Sequence, residues 1–469
     1  MLFPTFIFAV FFLIVWPLNW IFMRKPSRWL ALMLVAGYVF YAWWDWRFAF
    51  LLAASTLANQ FFAVQVAKRT DVKHRKAILT AAIVVNLGVL AWFKYFNFFV
   101  TSASDLLGQV GVSWLAPTVT TVLPVGISFF TFMAISYVVD AYRGTFAPTS
   151  LTRFAVFLSF FPHIVAGPIV RPAELVPQFD EPRDPRRIDA SRAFFLIAGG
   201  LFKKVVVSSY MASIADPIFR APELHSSPEV IVGIFAYAVQ IYSDFSGYTD
   251  MAIGIALLMG FEFPQNFEKP YSAAGMRDFW RRWHMTLSRW LRDYLYIPLG
   301  GNRKGPGRTS VNLLATMVLG GLWHGAAWTF LAWGTLHGLA LVTEHRLDAR
   351  RIARGREKLL PGWATKAFTL TFVAFAWIFF RATSFGNAFD VIGRVFNGWT
   401  VEGTVSLGAI AAIAGMIAIQ QIPSDLGRKA MAMFSRVHWA AQGAALGIFL
   451  MIAGAMSPAG VAPFIYFQF

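Results

Sequence analysis

Runs of apolar residues, several longer than the roughly 18 to 20 that span a bilayer, alternate along the chain with short segments rich in Lys, Arg and Pro. The pattern predicts spans near 3–22, 29–46, 48–67, 77–100, 119–139, 193–213, 230–260, 367–381, 405–422 and 438–456. Two apolar stretches break the alternation. Residues 151–170 have basic residues on both sides, and Pro162, Gly167 and Pro168 interrupt any helix there, so a re-entrant hairpin is expected. Residues 310–342 are also flanked by basic segments, "NRKGPGR" and "HRLDARRIARGREK", and 33 residues are few for two crossings. A second broken hairpin is expected, with Gly320, Gly321 and Gly325 easing a break beside His324. The expected fold is an all-α polytopic membrane protein: about ten transmembrane helices plus re-entrant and interfacial helices around a central funnel or tunnel. No repeat, low-complexity tract or soluble domain is visible, so residues 1–469 read as one membrane-embedded domain.

Charge orients the chain. Lys and Arg near span ends stay cytoplasmic, and the basic loops 24–28 and 68–76 alternate with the nearly uncharged 101–118. This places the N-terminus outside and the terminal "PFIYFQF" outside as well. The first apolar run lacks a basic n-region and a small-residue cleavage site, so it reads as a retained span. The net charge of +17 suits loops facing anionic lipid and gives no reason to invoke nucleic acid. Cysteine is absent, which excludes disulfides, metal-thiolate sites and any acyl group carried on a thiol of this chain.

Ionisable groups inside spans cost at least ~2.5–3.5 kcal/mol each, so they need partners or a function. Lys94, Lys203 and Lys204 lie in predicted spans, and "QIYSDFSGYTDMAIG" places Asp244 and Asp250 in another. Either the carboxylates pair with the lysines or cap a break at Gly247, or they line a polar tunnel together with Trp323. In 276–300, Phe279, Trp280, Trp283, Leu287, Trp290, Leu291 and Tyr294 fall at helical spacing among five arginines, which predicts an amphipathic interfacial helix. His284 then reads either as an interfacial residue beside anchoring aromatics or as a functional one. Arg281, Arg282 and Arg289 either face lipid or hold phosphates.

His324 has small neighbours that leave room beside its ring, and an imidazole with a pKa near 6.5 suits proton transfer. The plain alternative is a core histidine bonded to a carbonyl. His337 would sit about 220° further round the same helix, off His324's face. No His, Asp and Glu set has metal-ligand spacing, so no metal is expected. "GGNRKGPGRTS" lacks the Gly-Lys-Ser/Thr ending of a phosphate loop, so nucleotide hydrolysis is unsupported.

Taken together, "RDFWRRWHMTLSRWLRDYLYIPLGGNR", "GGLWHGAAWTFLAWGTLHG", "SDFSGYTDMAIG" and "FFPHIVAGPIVRP" resemble the membrane-bound O-acyltransferase family over essentially the whole chain. Within it, the resemblance is to enzymes that acetylate exported polysaccharides, alginate first, with cellulose, peptidoglycan and carrier-dependent D-alanyl transfer as alternatives. It implies a catalytic segment at about 230–342, with His324 as the essential histidine and His284 as a second functional position. It also implies location in the bacterial inner membrane, with no bound cofactor. The donor would be acetyl-CoA or an acyl carrier on the cytoplasmic side. Outside, the partners would be the polysaccharide or a periplasmic acetyltransferase. A transporter is the rival of a different class, and it would call for inverted repeats that the sequence lacks.

Overall fold

The computed structural model describes all residues except 113, 115, 116, 118–121, 182, 356–360 and 456–469. The terminal "PFIYFQF" thus lies outside the described residues. All regular structure among those described is helical. By internal contacts the chain divides into two compact units, Met1–Ala193 with Ala252–Pro264, and Phe194–Met251 with Gln265–Phe469.

The first unit begins with α1 (Phe6–Phe22), α2 (Pro26–Ala42), α3 (Arg47–Lys68) and α4 (Val72–Leu90). α4 continues through a wider π-helical turn (Ala91–Tyr95) into α5 (Phe96–Gln109). Large side chains such as Phe6, Leu13, Val84 and Phe99 are exposed on these helices. In a chain this apolar, such a surface faces hydrocarbon rather than water. One buried polar pair between the helices satisfies itself: Asn59 on α3 and Asn86 on α4 exchange amide hydrogen bonds at 3.1 and 2.7 Å.

After α6 (Ile127–Arg143), residues 151–170 form α7 (Leu151–Ser159) and then a buried irregular segment, not a helical hairpin. Its turns are shaped by close backbone approach. A Cβ on Gly167 would fall 2.5 Å from the His163 Cα, and one on Gly126 would fall 2.3 Å from the Ile164 carbonyl oxygen. His163 donates from Nε2 to the Phe157 carbonyl at 2.8 Å and lies flat against Phe263, so it serves the core. The short α8 (Pro172–Leu175) follows.

The second unit takes in α9 (Ala190–Leu201) from Phe194 onward, a π-helical turn (Phe202–Val207) and α10 (Ser208–Arg220). α11 (Ser227–Leu258) is continuous, and Gly247 does not break it as the sequence allowed. Instead, a Cβ on Gly247 would stand 2.7 Å from the Gly200 carbonyl oxygen, so the glycine lets two backbones touch. Beyond lie α12 (Met276–Arg282), α13 (Met285–Leu291), α14 (Gly305–His324), α15 (Trp328–Ala353), α16 (Gly362–Arg381) and α17 (Phe385–Asn397). The chain continues through α18 (Leu407–Ala418), α19 (Ser424–Phe434) and α20 (Trp439–Ala455).

Among the described residues, five helical runs are long and apolar enough to cross a bilayer: 47–68, 72–109, 190–220, 227–258 and 362–381. A sixth exists if α18 and α19, bent by 92° at their junction, are one span. The architecture is that of an all-α, multi-pass membrane protein. The expected ten spans exceed what length and apolarity alone single out.

Candidate active site

α14 and α15 form an antiparallel hairpin whose break covers residues 325–327. At 1.5 Å per residue, helices of 20 and 26 residues are roughly 30 and 39 Å long, so the hairpin reaches well beyond the 33 apolar residues that suggested a short one. Glycine makes the pairing tight. A Cβ on Gly321 would lie 2.3 Å from the Phe330 carbonyl oxygen, and one on Gly325 would lie 2.0 Å from the nearest carbon of the Phe330 ring. His324 is the last residue of α14. Its ring is packed edge-on by Trp323 at 5.0 Å, Trp333 at 5.1 Å and Phe380 at 5.4 Å.

The stretch expected to be one interfacial helix is broken at Trp283–His284, between α12 and α13, and turns its aromatic residues inward. Trp283, Phe279 and Leu287 are fully buried. The regular aromatic spacing hid the break because it continues on both sides of it. His284 has φ 41° and ψ 53°, a left-handed conformation unfavourable for a residue with a Cβ. Backbone bonds hold it there: Met285 N–H donates to the Asn266 carbonyl at 2.9 Å, and Glu268 N–H donates to the Arg282 carbonyl at 2.9 Å.

Asn266, which the sequence did not single out, organises this turn. Its Oδ1 accepts from the Thr286 N–H at 3.2 Å and the Thr286 hydroxyl at 2.9 Å, and its distance to His284 Nδ1 is 3.1 Å. A backbone N–H can only donate, which fixes the amide orientation. The amide oxygen in turn obliges His284 Nδ1 to carry the proton. Nε2 is then the lone-pair nitrogen, and it is buried with no hydrogen-bond partner among the described residues. His284 lies outside the five apolar spans, and burial lowers its imidazole to a pKa of about 3. It is a neutral acceptor at any physiological pH.

The two histidines meet. Their ring centroids are 6.4 Å apart, with Trp323 6.2 Å from His284 and Phe245 of α11 packed edge-on at 4.6 Å. Trp283, Trp333 and Trp377 continue the aromatic wall, the last two stacked at 5.5 Å. His337 is on a separate helix from His324, so the continuous-helix angle does not apply. Trp333 stands between them, 4.8 Å from His337 and 5.1 Å from His324.

The other residues expected at the site divide. Asp244 pairs with Lys204 and accepts from Ser208 at 3.2 Å, while Asp250 lies 2.5 Å from Lys203 Nζ. The π-helical turn is wide enough for both successive lysines to face α11. Among the arginines, Arg282 is taken up by Asp278 at 2.8 Å, Arg289 is half-buried, and Arg281 is exposed without an ion-pair partner among the described residues. Asn266, Trp333 and Phe380 were missed because single residues far apart in sequence carry no periodic signal.

Comparison with known proteins gives this geometry its context. The model of the membrane-bound O-acyltransferase family matches residues 72–352, a range containing both histidines. The chain is 42% identical over 385 residues to the probable alginate O-acetylase of Azotobacter vinelandii, which covers 81% of this chain and 75% of that relative. It is 42% identical over 372 residues to the same-named protein of Pseudomonas aeruginosa, covering 78% and 69%. The peptidoglycan O-acetyltransferase of Helicobacter pylori is 36% identical over 396 residues, covering 78% and 73%. This chain belongs to the membrane-bound O-acyltransferase family, and it is a multi-pass membrane enzyme that transfers acyl groups to hydroxyls.

Proposed function

We propose that the enzyme moves an acetyl group from cytoplasmic acetyl-CoA to hydroxyls of an exported polysaccharide, alginate in the first place, directly or through a periplasmic acetyltransferase partner. The observation that carries this reading is the buried imidazole pair, one ring held in a single tautomer with a free Nε2 and the other at the break of a long helical hairpin. His324 is the general base. It removes the acceptor hydroxyl's proton as the oxygen attacks the thioester carbonyl; the C–S bond then breaks and the CoA thiolate takes the proton back. His284, neutral and accepting through Nε2, orients the hydroxyl.

With no cysteine in the chain, no acyl group is carried on a thiol of its own, which favours transfer from the donor without an acyl-enzyme on this chain. The basic loops, read as cytoplasmic, favour entry of the donor from that side, and Arg281 is an arginine whose exposure suits donor phosphates. Two alginate-named relatives at 42% identity favour alginate as acceptor. The peptidoglycan relative, similar over a comparable share of the chain, supports the second reading. Polymer-bound acetate in a deletion strain complemented with this chain tests the assignment. Acetate should reappear on alginate. Its reappearance on peptidoglycan alone would favour the second reading, and on neither would refute both.

A further inference from the structure

A groove between α15 and α16, with the start of α12 at one side, encloses about 740 Å³, within the range of sites that hold small ligands. Leu336, Leu339 and Ala340 of α15 face Phe368 and Phe372 of α16 across it. Its apolar walls open away from the protein: Leu339 is 49% and Phe368 68% exposed. The inner end is closed. Phe372 rests on His337 at 5.9 Å, and behind it the stacked and buried Trp333 and Trp377 stand before His324.

One end of the groove is strongly charged. Its carboxylates are occupied by the protein's own donors: Glu344 accepts the Met276 N–H at 2.5 Å and the Arg277 N–H at 3.3 Å, and Asp348 pairs with Arg351 at 3.1 Å and Arg277 at 3.8 Å. Arg350, in the last turn of α15, and Arg354, the residue that caps it, line the same end. Neither has an ion-pair partner among the described residues. Positive charge belongs on the cytoplasmic side of the membrane.

We propose that this groove binds an anionic glycerophospholipid of the cytoplasmic leaflet. Its phosphate sits between Arg350 and Arg354, and an acyl chain runs along Leu336, Leu339, Phe368 and Phe372. Charge at one end, apolar walls open to the bilayer and a sealed inner end together fit a lipid. They do not fit a donor that must reach His324. The proposal does not depend on which polymer is acetylated.

The test uses the purified full-length chain in detergent, with phosphatidylglycerol binding followed by native mass spectrometry and by the rise in melting temperature. Arg350→Gln with Arg354→Gln should weaken phosphatidylglycerol binding roughly 25-fold, about five-fold per arginine. Ala340→Phe, which keeps both arginines but fills the groove, should weaken it too. Wild-type affinity in both variants, or equal affinity for phosphatidylcholine, would overturn the proposal. Displacement of bound lipid by inorganic phosphate would show a simple anion site. Displacement by acetyl-CoA, with a raised KM for acetyl-CoA in the double variant, would give the groove to the donor. Either result refutes the lipid assignment.

Discussion

His284 donates its Nδ1 proton to Oδ1 of Asn266 across 3.1 Å, and this bond sets which ring nitrogen is available for chemistry. Removing the oxygen with Asn266→Ala leaves the tautomer undefined and the left-handed turn unsupported. Turnover should fall at least ten-fold, as is typical when the group that orients a functional histidine is lost. The KM for the donor should change little. Unchanged kcat would reduce Asn266 to a turn residue.

The same pair yields a pH prediction. His284 has a folded-state pKa of about 3, below its ordinary 6.5, so it stays neutral from pH 5 to 8 and adds no acid limb to the rate there. Asn266→Asp keeps the acceptor oxygen but adds a negative charge, which favours the imidazolium and raises that pKa. The variant should lose activity toward low pH where the wild type does not. Identical profiles would contradict the assigned contact.

Backbone and ring contributions at position 284 can be separated. A left-handed conformation costs a residue bearing a Cβ about 1–2 kcal/mol, and glycine avoids that cost. His284→Gly should therefore melt higher than His284→Ala, by about 1 kcal/mol in stability, while both lose turnover. Equal stability would show that the turn carries no strain, and full turnover in either variant would remove His284 from the mechanism.

Lys204 and Asp244 form a pair whose side chains are only 2% and 4% exposed. Lys204→Met leaves a buried carboxylate without its main partner and should cost about 3–5 kcal/mol. Adding Asp244→Leu should restore most of that loss, measurable by thermal melting in detergent. A double variant as unstable as the single one would mean the pair contributes through shape, not charge.

These positions also show what the sequence could convey. The place of His324 at a helix break was legible because glycines on both sides of an apolar run announce a break. The lysine–aspartate pairing was legible as one of two alternatives, because charge at membrane depth requires compensation. The turn at His284 was not, since Trp283 and Leu287 keep helical spacing across a residue whose left-handed backbone depends on Asn266, 18 positions earlier. Gly247 was ambiguous for a similar reason. A glycine needed for backbone contact with Gly200 looks the same as one that breaks a helix.

The central claim is that His324 takes the acceptor's proton. The most direct measurement is acetyl-CoA-dependent transfer by the purified enzyme, scored as free CoA released in the presence of polysaccharide, for wild type and His324→Ala matched for yield and melting temperature. The account predicts a loss of about 100- to 10,000-fold, the contribution of a positioned general base. A well-folded His324→Ala enzyme releasing CoA and acetylating polymer at the wild-type rate would contradict it.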